Sequence, residues 1–367
     1  MYFICTQENL LKGVSTVSSL AGRNVQLPVL QNVLLEVKEG VLHLTCTDLE
    51  VGAHAVVAGK MEEAGGCTVM ARQLLEFIQQ LPVSNPIKIK KEKNSLIITT
   101  KGFQATFPTS KADDFPLLPK SIGDSKVLLD GRLFCQALTQ TIFAAARDDS
   151  RPEIHSVYVK GEKGELRVAA TDSFRLAERV IKLDDIKVNF HILLPVSAAQ
   201  EIIRLFGSCE QLELTIQENY IVFNGEGVYL SSRLIDSKYP DYNQIIPRSF
   251  ITQGVVKRDD FLRALKVLNV FLLKESRRVS LFVQPTKEIL ELKIEGGESG
   301  RGEVVVPFKG KGEDVKVLFN INYLIDGVQR GSGERCELGF SGENDPIMFS
   351  PHDSTVHHKY LIMPIQA

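Results

Sequence analysis

Three histidines near the C-terminus, His352, His357 and His358, are the side chains of this sequence best suited to bind a metal. Imidazole nitrogen is a common ligand of Zn²⁺ and other transition metals. Neighbouring residues of a strand point to opposite faces, so His357 and His358 would diverge, and no carboxylate or cysteine is spaced to complete a site. We therefore expect no metal and no cofactor, and we interpret all three as surface polar residues.

Other patterns that could support catalysis are also incomplete. The adjacent pair Asp113 and Asp114 lies in a proline-containing stretch typical of turns. The glycine-rich residues 296–302 join two strand-like segments, whereas a phosphate-binding loop enters a helix. The sequence contains no G-x-x-x-x-G-K-[S/T] motif, and its six cysteines form no C-x-x-C pair. We predict that the chain is not an enzyme. The alternative is that it is a hydrolase whose active site is built from scattered Asp and His residues.

The composition is that of an ordinary globular chain of 367 residues, with 24% charged residues and a net charge of -2. These values exclude a mainly disordered chain and a uniformly basic surface for nucleic acid. No apolar run approaches the ~20 residues of a membrane-spanning helix. The start of the chain also lacks the apolar run of about 7–15 residues found in a secretory signal. We expect a cytoplasmic protein.

Similar residues recur along the chain at a nearly constant spacing, which is the signature of an internal repeat. Three sets of landmarks show it: Glu76, Glu201 and Asp326 are 125 residues apart, Thr47-Asp48 and Thr171-Asp172 are 124 apart, and Pro116 and Pro240 are 124 apart. Several landmarks with one period predict three repeats, which we place at residues 1–125, 126–251 and 252–367.

Each repeat combines strand-like segments with two helical patterns. Apolar Leu42, Leu44 and Cys46 alternate with the more polar His43 and Thr45, which is typical of a strand with one buried and one wetter face. Helices that cover the buried face would give an α+β unit with its own core. Proline-containing residues 108–125 and 236–253 are predicted to connect the units.

Basic residues follow the predicted outer faces of helices. In the helical pattern that ends at Arg147, the positions predicted to be core are Leu133, Phe134, Ala137, Leu138, Thr141, Ile142 and Ala145. The positions predicted to face outward are Arg132, Gln136, Gln140, Phe143 and Arg147. Residues 257–278 carry seven basic side chains and only three acidic ones, Asp259, Asp260 and Glu275. Such faces are often only solvated surface. The alternative is a shared surface that meets a phosphate backbone without reading sequence.

Several segments resemble a single family and occur in that family's order. They are residues 27–33 with 44–50, residues 171–177 with a T-D-x-x-R-L-A signature, residues 239–247 with Y-P-D-Y and a later proline, and residues 360–365 with Met-Pro-Ile. With the three-fold repeat, they are similar to the bacterial DNA polymerase III beta subunit, the beta sliding clamp, along the whole chain.

The resemblance implies three similar DNA-clamp domains, each with antiparallel sheets outside and two helices inside. Two chains would join head to tail in a six-domain ring that encircles duplex DNA without sequence preference. The ring would tether the replicative polymerase, give processivity in DNA replication, and also meet the clamp loader and other proteins that carry a clamp-binding motif. The alternative is a repeat scaffold that binds proteins and does not encircle DNA.

The resemblance also implies DNA-facing positions and a partner-peptide pocket. The DNA-facing residues carried over from the family are Arg23, Arg72, Arg204, Asn320 and Tyr323, and the helical stripes add Lys12, Arg132, Arg147, Lys274 and Arg277. Pro152 and Glu153 stand where some members have an aromatic pair, and Ser197 stands where a basic residue occurs. DNA contact on this face is therefore expected to be weaker or differently placed.

The pocket would receive a short hydrophobic peptide, because apolar and methionine side chains form an adaptable slot. Its residues would be Ile154, Thr171, Ser173, Phe174, Arg175, Leu176, Pro240, Gln244, Ile245, Leu361, Met363, Pro364 and Ile365. Phe174 and Gln244 replace common His and Arg, so a different peptide preference is expected. The dimer contact would include Phe107, Phe271 and Leu272.

Overall fold

A computed structural model describes residues 1–22, 27–119, 126–183, 189–272, 277–295, 300–352 and 355–366. Within these ranges the chain forms six α-helices and 26 β-strands. Their order repeats three times, with two helices in each repeat, so the predicted α+β fold of three similar parts is confirmed.

The first repeat has nine strands and two helices. They are β1 (Tyr2–Cys5), α1 (Gln7–Ser18), β2 (Asn32–Lys38), β3 (Val41–Thr47), β4 (Val51–Val57), β5 (Lys60–Glu63), β6 (Gly65–Met70), α2 (Ala71–Gln79), β7 (Ile87–Glu92), β8 (Ser95–Thr100) and β9 (Phe103–Pro108).

The second repeat has the same order without the short strand that corresponds to β5. It contains β10 (Lys126–Leu129), α3 (Gly131–Thr141), β11 (Ser156–Glu162), β12 (Glu165–Thr171), β13 (Arg175–Lys182), β14 (Phe190–Pro195), α4 (Val196–Phe206), β15 (Leu212–Ile216), β16 (Tyr220–Gly225) and β17 (Val228–Arg233).

The third repeat again includes the short strand. It contains β18 (Thr252–Lys257), α5 (Arg258–Asn269), β19 (Arg278–Gln284), β20 (Ile289–Glu295), β21 (Arg301–Pro307), β22 (Lys309–Gly312), β23 (Val315–Asn320), α6 (Ile321–Arg330), β24 (Arg335–Phe340), β25 (Ile347–Pro351) and β26 (His357–Ile362).

Contacts divide the chain into two compact units. Unit 1 contains Met1–Arg132 and Gln200–Leu234, and unit 2 contains Leu133–Ala199 and Ile235–Ala367. Unit 1 holds a five-stranded sheet, β5-β1-β7-β8-β9, and an eight-stranded sheet, β10-β15-β16-β17-β4-β3-β2-β6. Unit 2 holds a nine-stranded sheet, β14-β11-β12-β13-β26-β25-β24-β18-β22, and a four-stranded sheet, β21-β20-β19-β23.

Both large sheets combine strands from two repeats. In unit 1, β17 pairs antiparallel with β4, placing Leu230 opposite Ala53. In unit 2, β13 pairs antiparallel with β26, placing Leu176 opposite Leu361. The repeats therefore share sheets, whereas the sequence suggested a separate core for each repeat.

The helices pack closely on the sheets because one face of each is apolar or small. Thr6 begins α1 by accepting a hydrogen bond from the Asn9 backbone N–H, which satisfies a free donor at the helix start. The buried face of α1 includes Leu10, Gly13 and Val14. A Cβ added at Gly13 would meet Val57 Cγ2 at 2.4 Å, so only glycine allows this approach.

Three expectations about burial are wrong. Leu133 is 42% exposed, whereas Gln140, placed on the outer stripe, is 5% exposed. The helix ends at Thr141 and continues as a 3₁₀ turn over Ile142–Ala144, so residues beyond it leave the helical face. His358 is 4% exposed, because it lies on β26 with Nε2 3.2 Å from the Gln140 carbonyl oxygen.

The wetter faces of the central strands are also more covered than the alternating pattern suggests. In unit 2, Tyr242 of the connecting segment packs with Ala169, Leu176 and Leu361. Its hydroxyl donates to Glu178 Oε2 at 2.7 Å. The connecting segment thus forms a second, small core on the outer face of the nine-stranded sheet.

Candidate binding sites

A tight turn between β12 and β13 carries the exposed wall of the predicted peptide pocket. Thr171 Oγ1 donates to the Arg175 carbonyl oxygen at 2.7 Å and accepts from the Ser173 N–H at 3.2 Å. Asp172 Oδ1 accepts from the N–H groups of Phe174 and Arg175, each at 3.0 Å. Ser173 has φ 75°, a left-handed conformation that these bonds hold in place.

Unit 1 contains the same turn 124 residues earlier. Thr47 Oγ1 donates to the Val51 carbonyl oxygen at 2.9 Å and accepts from Leu49 N–H at 3.0 Å. Asp48 Oδ1 accepts from Glu50 and Val51 at 3.0 and 2.7 Å. Leu49 has φ 79°. The Thr-Asp landmark therefore marks a repeated turn, and only the turn of unit 2 carries an exposed aromatic side chain, Phe174.

The turn of unit 2 meets the C-terminal segment directly. The Met363 N–H donates to the Phe174 carbonyl oxygen at 2.8 Å, and the Ile365 N–H donates to the Leu318 carbonyl oxygen at 2.8 Å. Phe174 is 62% exposed and Met363 is 38% exposed. Pro364 and Ile365 are half-buried beside them in the sequence. Two apolar side chains thus stand next to each other at the protein surface.

The remaining pocket candidates divide into a buried set and an exposed set. Leu176 and Leu361 are buried in one apolar cluster with Tyr242, and Thr171 and Ile154 are also buried. Ile245 is 47% exposed, while Pro240 and Gln244 are exposed on the connecting segment. Gln244 Nε2 donates to Asp241 Oδ2 at 3.0 Å within the connecting segment.

Arg175, another predicted pocket residue, is 4% exposed. Its Nε donates to Asp172 Oδ2 at 2.9 Å and its Nη1 to Asp326 Oδ2 at 2.8 Å. Burial lowers the pKa of Arg175, but Tyr360, Asp326 and Asp172 outweigh it and raise the pKa above its ordinary value. The sequence did not identify Asp326 as this partner, although it is one of the acidic landmarks.

Two of the predicted DNA-facing arginines are engaged in exposed ion pairs. Arg72 Nε lies 2.8 Å from Glu76 Oε1 on the exposed face of α2, and Arg132 pairs with Asp130 and Glu210 at 3.4 and 3.2 Å. Exposed pairs of this kind are weak and can exchange partners. Both arginines therefore remain able to contribute positive potential at the surface.

Arg204 forms hydrogen bonds to α1 that the sequence did not predict. Its Nη2 donates to the Thr16 carbonyl oxygen at 2.6 Å and to Ser19 Oγ at 2.7 Å. Its Nε donates to Glu201 Oε2 at 2.8 Å. The guanidinium thus joins α4 to the C-terminal end of α1, where a positive charge is favourable.

The other predicted DNA-facing residues differ in accessibility. Lys12, Arg147 and Arg277 are exposed. Asn320 starts α6 by accepting a hydrogen bond from the Asn322 N–H at 3.0 Å. Half-buried Tyr323 lies with its ring centre 4.4 Å from the Arg175 guanidinium carbon.

Two predicted DNA-facing residues, Arg23 and Lys274, lie outside the described residues. Ser197 is exposed, and Arg151 pairs with Glu153 at 3.1 Å.

The predicted dimer residues lie near free edges of the two smaller sheets. Phe107 on β9 is 8% exposed and packs edge-to-face on Phe77, with ring centres 5.5 Å apart. Phe271 is 38% exposed, and Leu272 packs on the core of unit 2. Strand β9 ends the five-stranded sheet and β21 ends the four-stranded sheet.

Two other kinds of site are absent from the described ranges. No three His, Cys, Asp or Glu side chains in this part of the chain are arranged to hold a metal ion. Among the helices described, none is long and apolar enough to cross a membrane. Residues 296–299 of the glycine-rich stretch lie outside the described ranges.

Comparison with known proteins covers the whole chain. Models of the N-terminal, central and C-terminal domains of the DNA polymerase III beta subunit match residues 1–119, 128–241 and 243–366. The beta sliding clamp of Synechococcus elongatus is 29% identical, over 100% of this chain and 99% of that protein. The Bacillus subtilis beta sliding clamp is 26% identical over 100% of both chains.

A solved structure shows the same fold. The crystal structure of a sliding clamp from Pseudomonas aeruginosa, bound to griselimycin, matches with a TM-score of 0.95 and 26% identity over 100% of both chains. The three-fold order of elements and the chain-wide match define a DNA sliding clamp. The chain belongs to the DNA polymerase III beta-subunit family. This assignment does not favour a repeat scaffold that only binds proteins.

Proposed function

We propose that two copies of this chain close head to tail into a ring around duplex DNA. The proposal rests on the two smaller sheets, each of which contains strands from a single repeat. Each chain has sheets of eight and nine strands that combine two repeats, but also separate sheets of five and four strands that each come from one repeat and end on one side in β9 and β21. Pairing β9 of one copy with β21 of the other would give a third sheet of nine strands.

Exposed apolar residues near both free edges support this pairing. Phe103 on β9 is 50% exposed and Val305 on β21 is 51% exposed. Val270, at the end of α5, is 81% exposed, beside the predicted contact Phe271. Free strand edges and apolar side chains in water favour association. A second copy supplies both partners at once, because each chain carries one of each edge.

The proposed role of the ring is mechanical. A polymerase attached to a ring that cannot leave DNA rebinds its primer at a high effective concentration. The net charge of -2, with exposed Lys12, Arg147 and Arg277 on the proposed lumen, suits weak and sequence-independent contact. The chain carries out no catalytic step of its own in this proposal, and it acts in the cytoplasm, where the chromosome is copied.

The domains proposed for this ring are residues 1–125, 126–251 and 252–367. The partner peptide of the polymerase or clamp loader would bind between Phe174, Met363, Pro364 and Ile245. Leu176 and Leu361 would support it from below. The exposure of Phe174 and Met363 supports this site, because apolar side chains at the surface mark binding surfaces when they are grouped.

Retention on circular DNA tests encirclement. After loading by the clamp loader, the protein should stay on a nicked circle in high salt and leave when the circle is cut. Sedimentation should give about twice 40.8 kDa. A monomeric mass, or equal retention on linear DNA with free ends, would contradict the ring.

Replacement of Met363 and Pro364 by Ala tests the pocket. Because Met363 is partly exposed and outside the large core, we expect at least about tenfold weaker binding of a fluorescein-labelled peptide from the replicative polymerase. The dimer mass should not change. Unchanged peptide affinity in a folded dimer would remove these residues from the site.

A further inference from the structure

Helix α6 is connected to the wall of the peptide pocket through one buried cation. The Arg175 guanidinium donates at one side to Asp172 Oδ2 and at the other to Asp326 Oδ2 of α6. Arg175 and Asp326 are 151 residues apart in the sequence. The Arg175 side chain is 2% exposed and that of Asp326 is 32% exposed. The connection therefore runs from the protein interior to an accessible carboxylate.

At the end of this connection nearest the proposed pocket, Asp172 is held by several hydrogen bonds. The same Asp172 carboxylate that binds the guanidinium also accepts from the N–H groups of Phe174 and Arg175. Its position holds the backbone of the turn that carries the exposed Phe174 side chain. A displacement of the guanidinium would therefore be transmitted to the turn.

The α6 side is held by aromatic rings and a second cation. The guanidinium carbon of Arg175 lies 4.4 Å from the Tyr323 ring centre and 5.6 Å from that of Phe143. Arg330 Nη1 lies 3.6 Å from Asp326 Oδ1, so the two arginines share one carboxylate. The Tyr360 hydroxyl donates to the Tyr323 carbonyl oxygen at 3.0 Å, which anchors α6 to β26.

We propose that Arg175 is a positioning residue through which helix α6 sets the peptide affinity of the pocket. It acts through Asp172 and the turn, since its own side chain is buried. Removing the negative charge of Asp326 leaves a buried cation with one carboxylate fewer, and the guanidinium must shift toward solvent or toward Asp172. By linkage, a bound peptide must in turn change the surroundings of Asp326. This inference rests on the proposed peptide-binding function.

Peptide affinity of Asp326 variants tests the proposal. Fluorescence anisotropy with the labelled polymerase peptide should show about two- to thirtyfold weaker binding to Asp326→Asn, with most of the affinity recovered in Asp326→Glu. Glu76→Gln is the matched control, because Glu76 is the corresponding acidic landmark in unit 1, and it should bind as the wild type does. Unchanged affinity of Asp326→Asn would overturn the proposal.

A spectroscopic readout separates positioning from a general loss of stability. The chain has five methionines; Met363 contacts the turn and Met348 packs on the cluster of Leu176 and Leu361. In methyl-labelled protein, Asp326→Asn should shift the methyl resonances of Met363 and Met348, and leave those of Met61 and Met70 in place. If Asp326→Asn bound the peptide more weakly but the methyl resonances of Met363 and Met348 did not shift, the result would contradict a positioning role for Arg175. Failure of the wild type to bind peptide would instead refute the proposed pocket.

Discussion

At the residue scale, the burial of His358 makes the stability of unit 2 depend on pH. Burial is the main cause that lowers the pKa of this imidazole from 6.5 to about 4, and nearby Arg179 adds to it. Between these pH values the unfolded chain binds a proton that the folded chain does not. The stabilisation is therefore complete above pH 6.5 and is lost as the pH falls toward 4.

Replacement of His358 by Leu should remove this dependence. Between pH 7 and about pH 4.5, we expect the wild type to lose about 2–3 kcal/mol of stability more than His358→Leu. Urea unfolding at a series of pH values, followed by circular dichroism, measures the difference. The lost contact with Gln140 lowers the stability of the variant equally at all pH values, so only the slope is informative. Parallel pH profiles would contradict the prediction.

Residue types in the sequence predict which side chains can bind, but not which are buried. Exposed Phe174 and Met363, both predicted pocket residues, are joined by a backbone hydrogen bond. His358 and Arg175 are buried beside partners that are distant in the chain, since Gln140 and Asp326 are 218 and 151 residues away from them. No local pattern reports such contacts. The roles of buried polar residues therefore required the tertiary structure.

At the element scale, the end of α1 depends on a side chain from α4. Arg204 donates to the carbonyl oxygen of Thr16 and to the Ser19 hydroxyl, and it pairs with Glu201. The last carbonyl groups of a helix have no partner within the helix. The hydrophobic period predicted both helices, but it could not predict that one residue of the basic stripe holds them together.

Replacement of Arg204 by Ala should destabilise unit 1. We expect a loss of about 1–3 kcal/mol, because the bonds at the end of α1 and the pair with Glu201 are lost together. Arg72→Ala is the control: Arg72 also pairs with a glutamate of its own helix, but its side chain is 87% exposed, and its loss should cost less than about 1 kcal/mol. Thermal unfolding of both variants measures the difference, and equal stability would show that the contacts of Arg204 are not stabilising.

At the scale of the whole molecule, a period in the sequence predicts repeated parts but not how strands are shared. The spacing of Thr47 and Thr171 corresponds to a turn with the same bonds in both units. The sheets nevertheless cross from repeat to repeat, as where β17 pairs with β4. Strand alternation identifies a buried face but says nothing about which strand is the neighbour. Only the topology shows that β9 and β21 are left at sheet edges.

Ring closure through these edges predicts that charges placed beside them will separate the chains. Val270 and Val305 are 81% and 51% exposed in the single chain, so Val270→Asp with Val305→Lys should leave each chain folded. Burying charged side chains against a second copy is costly, and lysine on an edge strand opposes pairing. At micromolar concentration, the sedimentation mass should fall from about twice 40.8 kDa toward 40.8 kDa.

The matched control places the same charges on apolar residues away from the proposed junction. Val56 and Leu128 are 43% and 64% exposed and lie on β4 and β10 of the eight-stranded sheet, where β10 is also a sheet edge. Val56→Asp with Leu128→Lys should remain a dimer, because the eight-stranded sheet already combines two repeats and takes no part in the proposed junction. Dissociation of both double variants would show that added charge alone separates the chains. A dimer in both would mean that β21 is not the strand that closes the ring.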